Sequence, residues 1–183
     1  MNITFSDNQL ETIKSFAKKL ELGGKSHIRS EAERSKTLAA DQIVGQLGEA
    51  ALHVWLTGEF EPYVATQELK NSTIQRGQGD NGRDIEGTPL TIDIKTTRIR
   101  NRYAPSKFKL IVSKPEYKSY RIYVQAFVIG PYTNPTVHIA GWAYGKGLEF
   151  LPNYKKAMGL PVVKLNPLHT LKALYQESIR DKP

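Results

Sequence analysis

The sequence predicts one α/β or α+β domain built on a central mixed β-sheet flanked by helices. Two observations carry that expectation. Helical periodicity fills residues 6–22 and 39–56, strand-like segments occupy the middle, and a helical pattern returns from Pro167. At 183 residues and 39% hydrophobic content, the chain is also long and apolar enough to bury one sizeable core. Helix, helix, strands, helix is the order of a sheet covered by helices.

In residues 6–22, Leu10, Ile13, Phe16, Ala17 and Leu20 recur at helical spacing, with Ser6 as N-cap and Gly23-Gly24 as stop. The stretch from Lys25 to Lys36 is polar and mixed in charge, and suits a loop or a surface helix equally. A second helix, from about Ala39 to Leu56, carries Ile43, Val44, Leu47, Ala50, Ala51, Val54 and Trp55 on a broad apolar face, and Gly58 closes it. Strands are expected at Tyr63–Gln67, Arg83–Glu86, Leu90–Thr97, Lys107–Val112, Ile122–Ile129 and Thr136–Trp142, separated by Gly, Pro and Asn clusters. Pro167 then opens a closing helix with Leu168, Leu171, Leu174 and Tyr175 inward. No repeat or linker divides the chain. It reads as one domain over residues 1–183, with 1–38 open to being an N-terminal helical extension.

Composition removes several function classes. There is no cysteine, hence no disulfide framework, thiolate metal site or cysteine nucleophile. That suits a reducing cytosol, and a cytoplasmic location is the expectation. The first residues lack a basic region followed by an apolar core, so no signal peptide is expected, and no apolar run reaches the length of a membrane span. His27, His53, His138 and His169 lack zinc-ligand spacing, and no phosphate-cradling glycine loop with Lys and Ser/Thr occurs. The charge is more informative. The chain carries +8, and between Thr91 and Arg121 nine basic residues face only Asp93 and Glu116, a net of +7. Such a field attracts a polyanion, nucleic acid first.

Within that basic region lies "PLTIDIKTT" at 89–97. Leu90, Ile92 and Ile94 alternate with Thr91, Asp93 and Lys95, so the acid and the lysine share one strand face. If Gly87-Thr88 is a two-residue hairpin turn, Asp84 faces Thr91 and lies diagonal to Asp93 on that same face. Two carboxylates there repel unless a cation lies between them. Oxygen ligands without histidine or cysteine suit Mg²⁺ or Mn²⁺. An adjacent lysine can orient or help deprotonate a water, or stabilise charge on a phosphate. Together these parts suit metal-assisted phosphodiester hydrolysis.

Asp84, an eight-residue gap and Asp93-Ile94-Lys95 resemble the signature of the PD-(D/E)xK nuclease superfamily, which has a restriction-endonuclease-like fold. Members often carry a glutamate on the helix before the core hairpin, and "GQLGEAAL" supplies Glu49 there. Arg83 stands where the motif's name places proline, a position often not proline in the family. "VHIAGWA" is similar to a strand of small phage and bacterial members. The resemblance spans about Gln42 to Trp142. It implies a Mg²⁺-dependent DNA endonuclease, with Mn²⁺ substituting, in which Asp84, Asp93, the Ile94 carbonyl and Glu49 hold the metal and Lys95 positions water. It also implies double-stranded DNA as partner, a homodimer or larger symmetric assembly, and site-specific cutting of the restriction or homing kind. A structure-selective Holliday-junction resolvase or repair nuclease is the alternative.

The pattern has competitors. Acid-x-lysine occurs three times, the others being Glu68-Leu69-Lys70, after an expected strand, and Glu116-Tyr117-Lys118, in a turn-like context. Lys70 is expected to be dispensable. Asp80 in "GQGDNG" is a lesser candidate for the first acid. Glu49 shares a helix face with Gln42, Gly45, Gln46 and His53, which a solvated face explains equally, although Gly45 and Gly48 would let the helix approach the sheet. Arg98, Arg100 and Arg102, then Lys107 and Lys109, are expected to contact phosphates. Asp93 and Lys95 could instead form a surface ion-pair ladder in a non-catalytic nucleic-acid-binding protein.

Overall fold

A computed structural model describes residues 1–21, 31–73, 84–85, 88–99, 104–152 and 157–180, with side chains from 20 to 39 and at 72–73 left aside. Helices α1 (Asp7–Glu21), α2 (Glu31–Thr57) and α3 (Glu61–Thr73) precede the main strands, and α4 (Leu168–Arg180) closes the chain. Strands β1 (Asn2–Ile3), β2 (Ile92–Ile99), β4 (Ile122–Ile129) and β5 (Thr136–Tyr144) form a four-stranded sheet in the order β1-β5-β4-β2. Strands β2 and β4 are parallel and the other pairs antiparallel, so the sheet is mixed. A second, antiparallel sheet has the order β3-β7-β6, from β3 (Lys109–Ser113), β6 (Glu149–Phe150) and β7 (Ala157–Pro161). The fold is therefore α/β, with a mixed sheet and a second sheet. No helix among the described residues is long and apolar enough to cross a membrane.

Strand β4 explains the layering. Its run "IYVQAFVI" is buried from Ile122 to Val128, which requires cover on both faces. Ile122, Val124, Ala126 and Val128 join the main core with Leu47, Ala50 and Ala51 of α2 and Ile13 and Phe16 of α1. Tyr123, on the opposite face, packs with Leu110, Val112 and Leu160 of the second sheet. Strand β2 lies at the edge of the main sheet, and its far side is engaged by Asp84 at Ile92 and Ile94.

Most expected elements are present. Ser6 caps α1 reciprocally with Gln9: the Ser6 N–H donates to Gln9 Oε1 at 2.9 Å, and the Gln9 N–H donates to Ser6 Oγ at 3.4 Å. Gly58, at φ +86°, ends α2, donating its N–H to the Val54 carbonyl. The second helix begins earlier than expected, at Glu31. Residues 1–21 are tied into the fold, with β1 paired to β5 and Leu10, Ile13 and Phe16 in the core.

Two expectations need correcting. Tyr63–Gln67 is not a strand but the heart of α3. Tyr63, Thr66 and Gln67 are buried at helical spacing, so packing overrides the strand preference of Tyr, Val and Thr. Arg83–Glu86 is described only at Asp84 and Ile85, which lie in no strand. There the Asp84 N–H donates to the Ile92 carbonyl at 2.9 Å, one residue beyond the Thr91 pairing expected from a Gly87-Thr88 turn. Asp84 lies in no ladder, so no hairpin register sets its face; its carboxylate meets Lys70 of α3 and so joins the α2 side.

Candidate active site

The site is built around the outer edge of β2. Glu49 reaches it because α2 approaches β2 closely at Gly48, where an added Cβ would overlap the Thr96 side chain. Gly45 has no such role, since nothing lies within 4 Å of a Cβ there. The face of α2 bearing Gln46, Glu49 and His53 is not solvated. Gln46 and His53 are buried, and α3 covers that face.

Two helices and the segment before β2 converge here. Glu49 Oε2 accepts from Gln67 Nε2 at 2.7 Å and from Lys70 Nζ at 3.0 Å, and Glu49 Oε1 accepts from Gln46 Nε2 at 3.1 Å. The Tyr63 hydroxyl donates to Gln46 Oε1 at 2.7 Å. Burial, aided by the Glu49 charge, raises the Tyr63 pKa and keeps that hydroxyl protonated. Lys70 Nζ also lies 3.5 Å from Asp84 Oδ1, so one ammonium joins both carboxylates. Asp84 Oδ2 accepts the Ile94 N–H at 2.7 Å, which fixes this acid to the strand edge. The Asp84 carbonyl lies 3.0 Å from His53 Nε2. A carbonyl can only accept, so Nε2 carries the proton. Burial lowers the His53 pKa to about 4, with the Asp84 bond opposing and the Lys70 charge assisting, so the ring is neutral near pH 7.

Asp93 and Lys95 belong to a second group on the other face of β2. Lys95 Nζ lies 3.1 Å from both Asp93 Oδ1 and Glu116 Oε2, and Arg121 Nη1 lies 3.3 Å from Asp93 Oδ2. Burial pushes the Asp93 carboxyl up, against the pull of Lys95 and Arg121. Burial alone would lower Lys95, but the Asp93 and Glu116 carboxylates outweigh it and raise its pKa. Lys95 is a firm cation. Gln125 supports it from the neighbouring strand, donating from Nε2 to the Lys95 carbonyl at 2.9 Å.

Glu49 and Asp84 are thus brought together through Lys70, and Asp93 and Lys95 are brought together with Glu116 and Arg121. The shared face expected for Asp84 and Asp93 is corrected: Ile94, whose N–H holds Asp84, links two groups on opposite sides of the strand. Among the described residues no three acids or histidines gather as a ready metal cage. Asp80, Arg100 and Arg102 lie outside the described residues. Arg98 stands five residues beyond Asp93, roughly 16 Å along the strand. Its guanidinium is 4.0 Å over the Tyr132 ring, with Nη2 3.5 Å from the Gly130 carbonyl. That separation removes it from the immediate surroundings of Asp93. Lys107, at the end of the short helical turn Pro105–Lys107, and Lys109, the first residue of β3, are exposed.

Sequence reasoning set Lys70 aside as dispensable and did not bring Gln67, Gln46 or Arg121 to the acids. A signal existed for the first two: Tyr63, Gln67 and Lys70 fall at i, i+4 and i+7, one face of a helix. No family model, curated protein or solved structure matches this chain.

Proposed function

We propose that the protein is a metal-dependent DNA endonuclease with a restriction-endonuclease-like core. The observation that supports this best is the bond from the Ile94 N–H to Asp84. It sets the Glu49–Asp84 pair against the strand that carries Asp93 and Lys95, so both acid–lysine groups border residues 93–95. A phosphodiester lying over that edge could meet carboxylates from one side and a fixed cation from the other.

The donor chemistry fits a hard divalent ion. Glu49 and Asp84 already converge on one positive centre, and the nearby His53 Nε2 is committed to a carbonyl. Glu49, Asp84 and the Ile94 carbonyl are the proposed holders of Mg²⁺ or Mn²⁺, while Asp93, on the other face of β2, stays with Lys95 and Arg121. Such an ion supplies an acidified water and a Lewis acid for the phosphate. Lys95 then acts as a cation that orients water or stabilises phosphate charge; its raised pKa argues against a base. Gln125 holds the Lys95 main chain, and Arg121 and Glu116 hold the side chains of its face. Double-stranded DNA is the proposed partner, engaged through the basic region, and a symmetric dimer would let one site per chain cut both strands.

A second reading has an observation of its own. Asp93 engages both Lys95 and Arg121, as an ion-pair ladder in a non-catalytic DNA-binding protein would. Incubation with plasmid, branched DNA and RNA, in Mg²⁺ and in EDTA, separates the two. Cleavage only with Mg²⁺ supports the endonuclease, and the substrate cut separates a site-specific enzyme from a structure-selective one. Binding without cleavage under all conditions supports the ladder.

A further inference from the structure

Lys70 lies outside the sequence signature, yet among the described residues it joins the two acids on the α2 side of β2. Its ammonium lies 3.0 Å from Glu49 and 3.5 Å from Asp84, and all three side chains are nearly buried, at 11%, 14% and 10% exposure. Two carboxylates this sheltered repel each other unless a cation stands between them. A lysine can serve that role and still leave, because its charge rides on a flexible four-carbon stem.

We infer that Lys70 is a resident counter-ion: it holds Glu49 and Asp84 together in the metal-free protein and competes with a divalent cation for the same oxygens. The inference rests on the metal-dependent reading above. Lys70 is a positioning residue, acting through the two acids rather than on substrate. It would keep the carboxylates preassembled until the ion arrives. Metal binding then displaces the ammonium from between them, and the displaced charge becomes more accessible.

The competition gives two readouts that do not depend on cleavage. First, in the wild-type protein, acylation of Lys70 by an amine-reactive reagent, followed by mass spectrometry, should rise several-fold when Mg²⁺ replaces EDTA. Lys14, whose Nζ is engaged by Glu11 on α1, serves as an internal reference and should not change. Second, Lys70→Met should melt lower than wild type in EDTA but bind Mn²⁺ about tenfold more tightly, since no ammonium has to be displaced. Lys70→Gln, which keeps a hydrogen-bond donor to Glu49, replaces Lys70→Met if that variant does not fold.

The outcomes separate the inference from the function it rests on. If Mg²⁺ stabilises the wild type but leaves Lys70 acylation unchanged, the counter-ion role is wrong and the metal-dependent reading stands. Equal Mn²⁺ affinity in wild type and the Lys70 variant overturns the role in the same way. If neither melting nor acylation responds to Mg²⁺ or Mn²⁺, the metal-dependent reading itself falls.

Discussion

The two sides of β2 carry similar chemistry assembled in different ways. On the outer face, Asp93 and Lys95 are neighbours on one strand, and their partners Glu116 and Arg121 come from a single nearby loop. On the α2 side, Glu49, Lys70 and Asp84 come from two helices and the segment before the strand. In the first group the Asp93–Lys95 pair follows from strand periodicity alone. The second exists only because three separate segments pack in one particular way, so it is the more sensitive to changes in packing.

The largest expected effect lies in the local group. Lys95→Ala should lower cleavage by about 10²–10³-fold, the scale of losing one donor to developing charge, with DNA affinity nearly unchanged. Single-turnover cleavage and a binding titration on the same variant would show it. Full activity in Lys95→Ala would transfer the chemistry to the α2 side and break the proposed division of roles.

Packing sharpens the comparison next. Gly48→Ala should destabilise the protein by about 1–3 kcal/mol through overlap with Thr96, and should move Glu49 away from the strand edge. Gly45→Ala, with open space around it, should be neutral or stabilise by up to about 1 kcal/mol. Denaturant melts of the two variants make a matched pair. Equal responses would mean that α2 does not depend on its approach at Gly48.

How much was legible beforehand follows from the same contrast. Strand β4 agrees with the expected Ile122–Ile129 at both ends, because a run buried on both faces is nearly all apolar, here interrupted only by Gln125. Strands β6 and β7 were not expected: one is two residues long, and the other, "AMGLP", has neither alternation nor β-branched residues. Glu49, Asp84, Asp93 and Lys95 could be picked out by type and spacing. Their division between two groups could not, because Asp84 is placed by Lys70 and the Ile94 N–H rather than by a hairpin ladder. Lys70 was hidden by the strand reading of Tyr63–Gln67, although Glu61-Pro62 ahead of it is a reasonable helix start.

A smaller effect concerns His53, which holds the main chain of Asp84. Its folded pKa of about 4 lies below the ordinary 6.5, so the unfolded chain binds the extra proton between those values. Stability therefore rises with pH in that window. The contribution is present above about pH 6.5, is lost as pH falls towards 4, and amounts to at most about 3 kcal/mol. Melting in EDTA from pH 7 to pH 5 should show a steep fall in the wild type and a shallower one in His53→Gln. Parallel slopes would mean that another group governs acid sensitivity on the α2 side.

The central claim is that the Glu49–Asp84 pair takes a divalent cation, and melting in Mg²⁺ against EDTA tests it most directly. Metal-free stability alone does not decide the matter, because Lys70 already offsets the repulsion between the acids and Asp84 also accepts the Ile94 N–H. The response to metal does decide it. At about 100 times the dissociation constant, a bound ion stabilises the fold by about 2.7 kcal/mol, which is a rise of roughly 5–10 °C for a chain of this size. The wild type should show that rise, and Asp84→Asn should lose most of it. A wild type that melts identically in Mg²⁺ and EDTA, beside an Asp84→Asn variant that is only less stable, would contradict the account and leave a structural ion pair in its place.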